Sequence, residues 1–397
     1  MSISAIICEY NPFHNGHKYH IEKHRRELDS DGVICIMSGS FTQRGLPACA
    51  DKWSRAQMAV AGGADLVLEL PVIFCTQTAE RFAYGAVATL DALGIADHLS
   101  FGSECGDIRL LEEVAELLLT PGFQEEIKKE YSGGVSYPAA RAAAAARCFG
   151  GRAAEVLAFP NNILALSYIM AARRLDSKIL MHTIPRSGAE HDSAVSSENI
   201  ASASKIRAML GAGEDISRYV PEYTTEILKK AALSGKTPRD LSTLGSVLAY
   251  LLRTQTPEQL SDICDMTEGL ENRFIAAGRQ CASLDGISEL VKTKRYTKSR
   301  VDRVMLNIIL NITKENADFA PYYIRVLALN ERGAELLKEL KRRSALPVIT
   351  KAADAALSGQ AARAFKKDTQ ATDIYSLLTD NPQAGQDFKT SPVFLKK

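Results

Sequence analysis

Four of the chain's seven histidines fall at positions 14, 17, 20 and 24, and their spacing poses the first chemical question. His14-Asn15-Gly16-His17 is a His-x-Gly-His tetrad, preceded by an apolar run at 5–8 and followed by a helix-like segment from 16 to about 28. A strand that turns into a helix start is an anion site, because the first helical N–H groups lack intrahelical partners and carry partial positive charge. Imidazoles placed there donate to phosphate oxygens, and Gly16 permits close approach of backbone and ligand. The tetrad points to a nucleotide phosphate site with His14 and His17 on the phosphates. Taken alone, His17, His20 and His24 are also spaced to share a helical face and bind a metal. No cysteine or aspartate lies beside them, so no metal site is assigned. A purely structural loop is the other alternative.

Further candidates lie downstream. Phe159-Pro160-Asn161-Asn162 ends a loop and opens a helix, so either asparagine serves as an N-cap or hydrogen-bonds a purine or ribose. In 201–207 (ASASKIR), Ser202 and Ser204 precede a helix carrying Lys205 and Arg207. That pattern reads as plain capping or as a second phosphate clamp formed by Ser204, Lys205 and Arg207. Residues 290–303 (LVKTKRYTKSRVDR) hold the cations Lys292, Lys294, Arg295, Lys298, Arg300 and Arg303 against one acid, Asp302. The stretch is either a solvated face or an RNA backbone contact, with Tyr296 able to stack on a base. Lys341, Arg342 and Arg343 form a shorter patch.

The elements that must position these residues follow from hydrophobic patterning. Short apolar runs at 5–8, 33–38, 64–70, 99–101 and 178–184 read as strands. Helical patterns at 52–61, 78–93, 110–119 and 163–174 lie between them, an alternation that predicts a parallel, doubly wound sheet. Ligands of such sheets sit at the carboxyl ends of the strands. That places His14, residues 38–44, Glu69, residues 102–104 and Arg186 on the successive strand ends. Neither Gly-x-Gly-x-x-Gly nor a Walker A sequence is present, so the nucleotide is held some other way. Residues 110–150 are helical and Ala-rich, which helix propensity explains, and read as an insertion. Residues 186–200 are polar and turn-rich and read as a mobile loop. From about 221 the alternation stops, and 222–234, 241–254, 257–284, 286–293, 299–315 and 333–345 read as helices. The expected organisation is α/β: a Rossmann-like nucleotide-binding domain at 1–215 and a mainly α-helical domain at 216–397. The tail after Asp380 reads as loosely ordered.

Composition narrows the class. Over 397 residues the chain is 46% hydrophobic and 24% charged with a net charge of +1, so any nucleic-acid surface is a local patch. The eight cysteines include no Cys-x-x-Cys pair, which favours a reducing compartment. No run reaches the apolar length of a membrane span, and the start carries no basic leader, so the expected location is cytoplasmic.

These residues resemble a known group. The tetrad after the first strand, with ASASKIR late in the same domain, is similar to the nucleotidyltransferase superfamily of the His-x-Gly-His type. The segments EYNPFHNGHKYH, SGSFTQRGLPA, KWSRAQMAVAGGADLVLELP, FGSECGDI, SYPAARA, PNNILALSY, IASASKIR, KTKRYTKSRVDR and APYYIRVLALNERG resemble the bacterial tRNA(Met) cytidine acetate ligase family, from residue 3 to about 350. The resemblance implies an enzyme that makes N4-acetylcytidine at the wobble cytidine of elongator tRNA(Met), from free acetate and ATP through an acetyl-adenylate. It implies an ATP site of Ile7, Cys8, Glu9, Tyr10, Asn11, Pro12, Phe13, His14, Asn15, Gly16, His17, Lys18, Tyr19 and His20, with Gly102, Asn161 and Arg186. It implies an ATP-binding catalytic role for the domain at 1–215 and a tRNA-binding role for the helical domain at 216–397, where Lys292, Lys294, Arg295, Arg300 and Arg303 are the candidate contacts. The second motif departs from the family pattern, since Ser204 stands at the usual Thr and Ala203 removes a hydroxyl. Cys8, where relatives carry Val, is a conservative core change.

Acyl adenylation of this kind is mostly positioning and charge stabilisation. Acetate attacks the α-phosphorus, pyrophosphate leaves, and His14 and His17 stabilise the charge. Arg186, Lys205 and Arg207 are supplementary cations, and Mg²⁺ accompanies the triphosphate. Discrimination of acetate from propionate comes from pocket size, worth about 1–3 kcal/mol per methylene. No residue in the sequence declares itself as the base for the cytidine amine. The competing readings are a small-molecule adenylyltransferase of cofactor synthesis, a non-catalytic RNA-binding protein and, least well placed, a class I aminoacyl-tRNA synthetase.

Overall fold

The computed structural model describes residues 2–132, 135–186, 199–317 and 320–396. Five strands form a parallel core: β1 (Ile3–Cys8), β2 (Gly32–Ser38), β3 (Leu66–Leu70), β4 (His98–Ser103) and β5 (Leu180–Pro185). They correspond to the five apolar runs, in the spatial order β5-β4-β1-β2-β3. Alternation along each strand splits the core into two layers, as a period of two requires. Ala5, Ile34, Ile36, Leu66 and Leu68 face one layer with the helices Ala79–Ala92 and Pro160–Arg174. Ile6, Cys35, Met37 and Val67 face the other, with α1 (Asn15–Glu27) and α2 (Lys52–Ala61). Burial on both faces explains why these strands read as continuous apolar runs. The insertion between β4 and the Pro160–Arg174 helix is helical, with segments Ile108–Leu119, Pro121–Ser132, Tyr137–Phe149 and Gly151–Leu157.

The C-terminal half is helical from Glu222 to Ala317 apart from its connections, yet it also returns to the sheet. Strand β6 (Ile324–Leu329) pairs antiparallel with β3, and β7 (Val348–Ile349) and β8 (Val393–Phe394) both pair with β6. Sequence patterning read no strand here. Residues 257–284, read as one helix, are two, Pro257–Ser261 and Leu270–Gln280, separated by left-handed residues at Asp265 and Glu268. The segment 299–315 likewise ends its helix, Lys298–Leu310, at left-handed Asn311.

The tail is not loosely ordered, because its side chains complete a buried charge cluster. Lys52 Nζ lies 2.7 Å from a carboxylate oxygen of both Glu69 and Asp387, and Arg325 lies 3.3 Å from Glu69 and 2.5 Å from Asp387. All four are almost fully buried. Asp368, beside them, accepts the Val72 N–H at 2.7 Å and hydrogen-bonds the Tyr323 hydroxyl. Burial and the charge of Glu69 push its carboxyl up to about 7. The polar segment read as a mobile loop lies, at 187–198, outside the described residues.

Candidate nucleotide site

The strand order reverses between β1 and β4, so the crevice of this sheet opens at their carboxyl ends. His14 is the N-cap residue of α1 at the lip of that crevice, with extended backbone at φ −137°. Its N–H donates to Nδ1 of His17 at 3.2 Å, which leaves the His17 proton on Nε2. The two rings stack with centroids 3.5 Å apart and planes 19° apart. His14 is 6% exposed, and its Nδ1 is buried without a partner among the described residues. Burial, then the Arg186 charge, push its pKa down to about 3. Burial, His14 and Arg186 hold His17 well below the ordinary range too. The pair therefore offers neutral N–H donors rather than positive charge. A Cβ on Gly16 would come within 3.0 Å of His14 Cε1. The glycine makes room for the histidine ring, a different reason from the ligand approach expected of it.

The turn before α1 is held from behind. Tyr10, Asn11, Pro12 and Phe13 are buried. Tyr10, at φ 42°, packs edge-on to Phe13 at 4.9 Å and lies 4.8 Å from the His17 ring. Asn11 Oδ1 accepts the Cys49 N–H at 2.7 Å. Arg207 donates to the Asn11 carbonyl at 2.8 Å and to Ser204 Oγ at 3.1 Å, so this arginine clamps the turn. Ser202 caps the helix Ala203–Gly211, accepting the Lys205 N–H at 3.2 Å, while exposed Lys205 lies 5.2 Å over the Tyr219 ring. Asn15 donates through Nδ2 to the carbonyls of Asn199 and Arg218, at 3.0 and 3.1 Å. Ile7 and Cys8 end β1 half-buried, and burial pushes the Cys8 thiol up. Lys18 and Tyr19 sit further along α1, the former 3.8 Å from Glu22 and the latter 5.7 Å under Lys23.

Across the crevice, a Cβ on Gly102 would come within 2.9 Å of Arg186 Cγ, so the absent side chain lets Arg186 lie across the end of β4. Asn161 and Asn162 are not N-caps. That position is Phe159, and the Glu104 carboxylate supplies the cap, accepting the N–H groups of Asn161 and Asn162 at 3.2 and 2.8 Å. Asn161 Nδ2 also donates to Glu104 at 2.6 Å, leaving Oδ1 as its open acceptor. Asn162 Oδ1 accepts the Glu104 and Cys105 N–H groups.

His20 and His24 turn inward. His20 Nε2 lies 3.1 Å from Ser100 Oγ, which lies 3.3 Å from His182 Nδ1, and His182 Nε2 is 3.2 Å from Glu27. His24 is fully buried with Nε2 2.5 Å from Ser4 Oγ. Both are pushed down to about 3, chiefly by burial. No group of three ligating side chains suited to a metal occurs among the described residues. Glu69, placed at a strand end by the sequence, is occupied by Lys52 and Arg325 rather than open to a ligand.

One residue escaped sequence reasoning. Arg55 is fully buried and donates to the carbonyls of Glu9 (2.6 Å), Ser38 (3.0 Å), Ala50 (3.1 Å) and Gly39, tying the ends of β1 and β2 together. Glu9 accepts the Gln43 N–H at 2.7 Å, anchoring the loop after β2. No signal in the KWSRAQMAVA segment, which also holds Lys52, Ser54 and Gln57, set Arg55 apart.

The basic stretch is largely neutralised. Arg295 pairs with Glu268 (2.6 Å), Arg300 and Arg303 with Asp265 (3.3 and 3.8 Å), Lys292 with Glu289 (3.6 Å) and Lys298 with Asp302 (3.4 Å). Lys294 is exposed and has no ion-pair partner among the described residues. Tyr296 is 7% exposed, so its ring is not available to stack on a base, and its hydroxyl donates to Glu268 at 3.1 Å. The stretch nevertheless adjoins the crevice side, since Gly45 in the loop after β2 lies against the Asp302–Arg303 backbone. Lys341–Arg343 lies at the opposite end of the sheet, beside Gly94, ahead of β4.

Comparison with known proteins follows this geometry. Residues 1–389 match the family model described as HIGH Nucleotidyl Transferase. The chain is 42% identical over 396 residues to a tRNA(Met) cytidine acetate ligase of a Thermoanaerobacter species, covering 98% of each. It is 36% identical over 412 residues to the protein of that name from Clostridium perfringens, covering all of both. Among solved structures, Thermotoga maritima TmcAL bound with alpha-thio ATP matches over the whole of both chains with TM-score 0.93 at 34% identity.

Proposed function

The chain belongs to the HIGH nucleotidyl transferase family and, within it, to the tRNA(Met) cytidine acetate ligases, and on that premise we infer how its crevice works. It is an ATP-dependent ligase that activates acetate as acetyl-adenylate and transfers the acetyl group to N4 of the wobble cytidine of elongator tRNA(Met). The observation that carries the site assignment is the unpartnered Nδ1 of His14, stacked on His17 at the start of α1.

The triphosphate lies over the turn between β1 and α1. His17, with Nδ1 occupied by the His14 N–H, presents Nε2–H as a donor. Neutral donors in a dry site stabilise charge that develops on the phosphate without first having to shed a counter-ion. Arg186, lying across Gly102, supplies the positive charge. Asn161 Oδ1 is the open acceptor for the adenine amine or ribose. Arg207 acts as a clamp on the turn and Lys205 as an exposed cation at the rim. Magnesium accompanying the triphosphate would be held by the nucleotide rather than by side chains, since no group of three ligating side chains suited to a metal occurs among the described residues, and it would supply neutralising charge for the pyrophosphate. For the tRNA we favour Lys294 as the contact within the basic stretch, because its neighbours are paired. The eight free thiols support a cytoplasmic setting.

The test is exchange of labelled pyrophosphate into ATP, which should require acetate and be lost in His17→Ala while the fold persists. Exchange independent of acetate would overturn the activation step.

A further inference from the structure

Acetyl transfer to N4 needs a proton acceptor. The amine is a poor nucleophile because its lone pair is delocalised into the pyrimidine ring, and its proton must leave as the amide forms. The side chains around the strand ends can be taken in turn. Glu104 is committed to the N-terminus of the Pro160–Arg174 helix, and Glu69 to Lys52 and Arg325. His14 and His17 are far too weakly basic once burial has pushed them down.

Glu9 differs from all of these. Its backbone carbonyl is fixed by Arg55 at 2.6 Å and one carboxylate oxygen by the Gln43 N–H at 2.7 Å. Its second carboxylate oxygen has no hydrogen-bond partner among the described residues, and the side chain is half-buried rather than sealed. The charged and titratable groups facing it come from every side of the crevice: Arg55 of α2, Arg44 of the loop after β2, Arg207 of the clamp helix, Tyr168 of the Pro160–Arg174 helix and Cys75 after β3. Burial raises its pKa while the three arginines hold it back, leaving a carboxylate more basic than a surface glutamate. A carboxylate repels a triphosphate, so its chemistry suits the amine and not the phosphates that share the crevice. Exposed Arg44 beside it is placed to receive an RNA phosphate.

We propose that the free carboxylate oxygen of Glu9 accepts the N4 proton of the target cytidine during acetyl transfer, an assignment that rests on the function inferred above. In that step the N4 lone pair attacks the acetyl carbonyl carbon and the new C–N bond forms. The bond from that carbon to the adenylate oxygen breaks, AMP leaves with the electron pair, and the N4 proton passes to Glu9 and then to water.

The experiment separates the two half-reactions in the full-length protein. Glu9→Gln keeps an oxygen for the Gln43 N–H but loses the base. Single-turnover transfer to tRNA should fall about 100-fold or more, and much further than acetate-dependent pyrophosphate exchange does. The acidic limb of the transfer pH profile should disappear in the variant, which a purely structural role for Glu9 would not cause. Transfer by Glu9→Gln at the unaltered rate and pH profile overturns the assignment, and so does an equal loss of exchange and transfer. Absence of acetate-dependent exchange in the unaltered protein instead overturns the function on which the assignment rests.

Discussion

Lowering the pH of the ligand-free protein from about 7 to about 5.5 should cost it a calculable share of its stability. His14, His20 and His24 are each held near 3 in the folded chain by burial, against about 6.5 when unfolded. A depressed histidine pKa means that the unfolded chain binds the proton first, so this stability is present above the unfolded pKa and drains as pH falls towards the folded one. Each group then loses about 1.2 kcal/mol over the interval, or about 3.7 kcal/mol for the three. Asp368 works in the opposite sense. Its folded pKa, raised to about 7, lets the native state take up a proton first and returns about 1.6 kcal/mol. The balance is a loss of about 2 kcal/mol, and His17, also pushed down, adds to it in the same direction. Against a domain stability of about 5–15 kcal/mol that is a large fraction. Urea unfolding at constant ionic strength across the interval measures it. His24→Asn should remove about 1.2 kcal/mol of that loss, about 0.8 kcal/mol per pH unit averaged over the interval, whatever it does to the baseline. A stability that is flat or rising as pH falls would refute the reasoning.

Other perturbations bear on different parts of the structure. Lys52→Ala leaves Glu69 and Asp387 with Arg325 alone to balance them and should destabilise by about 3–5 kcal/mol in denaturant titration. A loss below about 1 kcal/mol would show that the cluster relaxes or takes up protons instead. Lys294→Glu should weaken tRNA binding modestly, and more at low salt than at high salt, with pyrophosphate exchange unaffected. Unchanged affinity at both salt concentrations would return the whole stretch to a solvated face. Arg207→Ala frees the Asn11 carbonyl and Ser204 and should raise the KM for ATP while leaving the fold intact. An unchanged KM would remove the clamp.

The parallel core was legible because its strands are short, largely apolar runs separated by helical segments. The tetrad was legible because strand, turn and helix start are contiguous in sequence. What stayed hidden depends on partners far apart along the chain. Strand β6 lies beyond a long helical stretch and joins the sheet antiparallel, where Arg325 meets Glu69. Asp387 sits in a tail whose composition suggests disorder, yet it neutralises Lys52. The six cations of 290–303 looked unbalanced because their acids, Asp265, Glu268 and Glu289 among them, precede the stretch. His24 had no assignable work in the sequence because its partner, Ser4, is on the neighbouring strand.

The most direct test of the central claim is nucleoside analysis of elongator tRNA(Met) after incubation with the protein and labelled acetate. With ATP present, label should appear as N4-acetylcytidine at the wobble position, and it should not appear when ATP is omitted or when His17 is replaced by alanine. Label incorporated without ATP, or none incorporated with it, would contradict an acetyl-adenylate formed at the turn between β1 and α1.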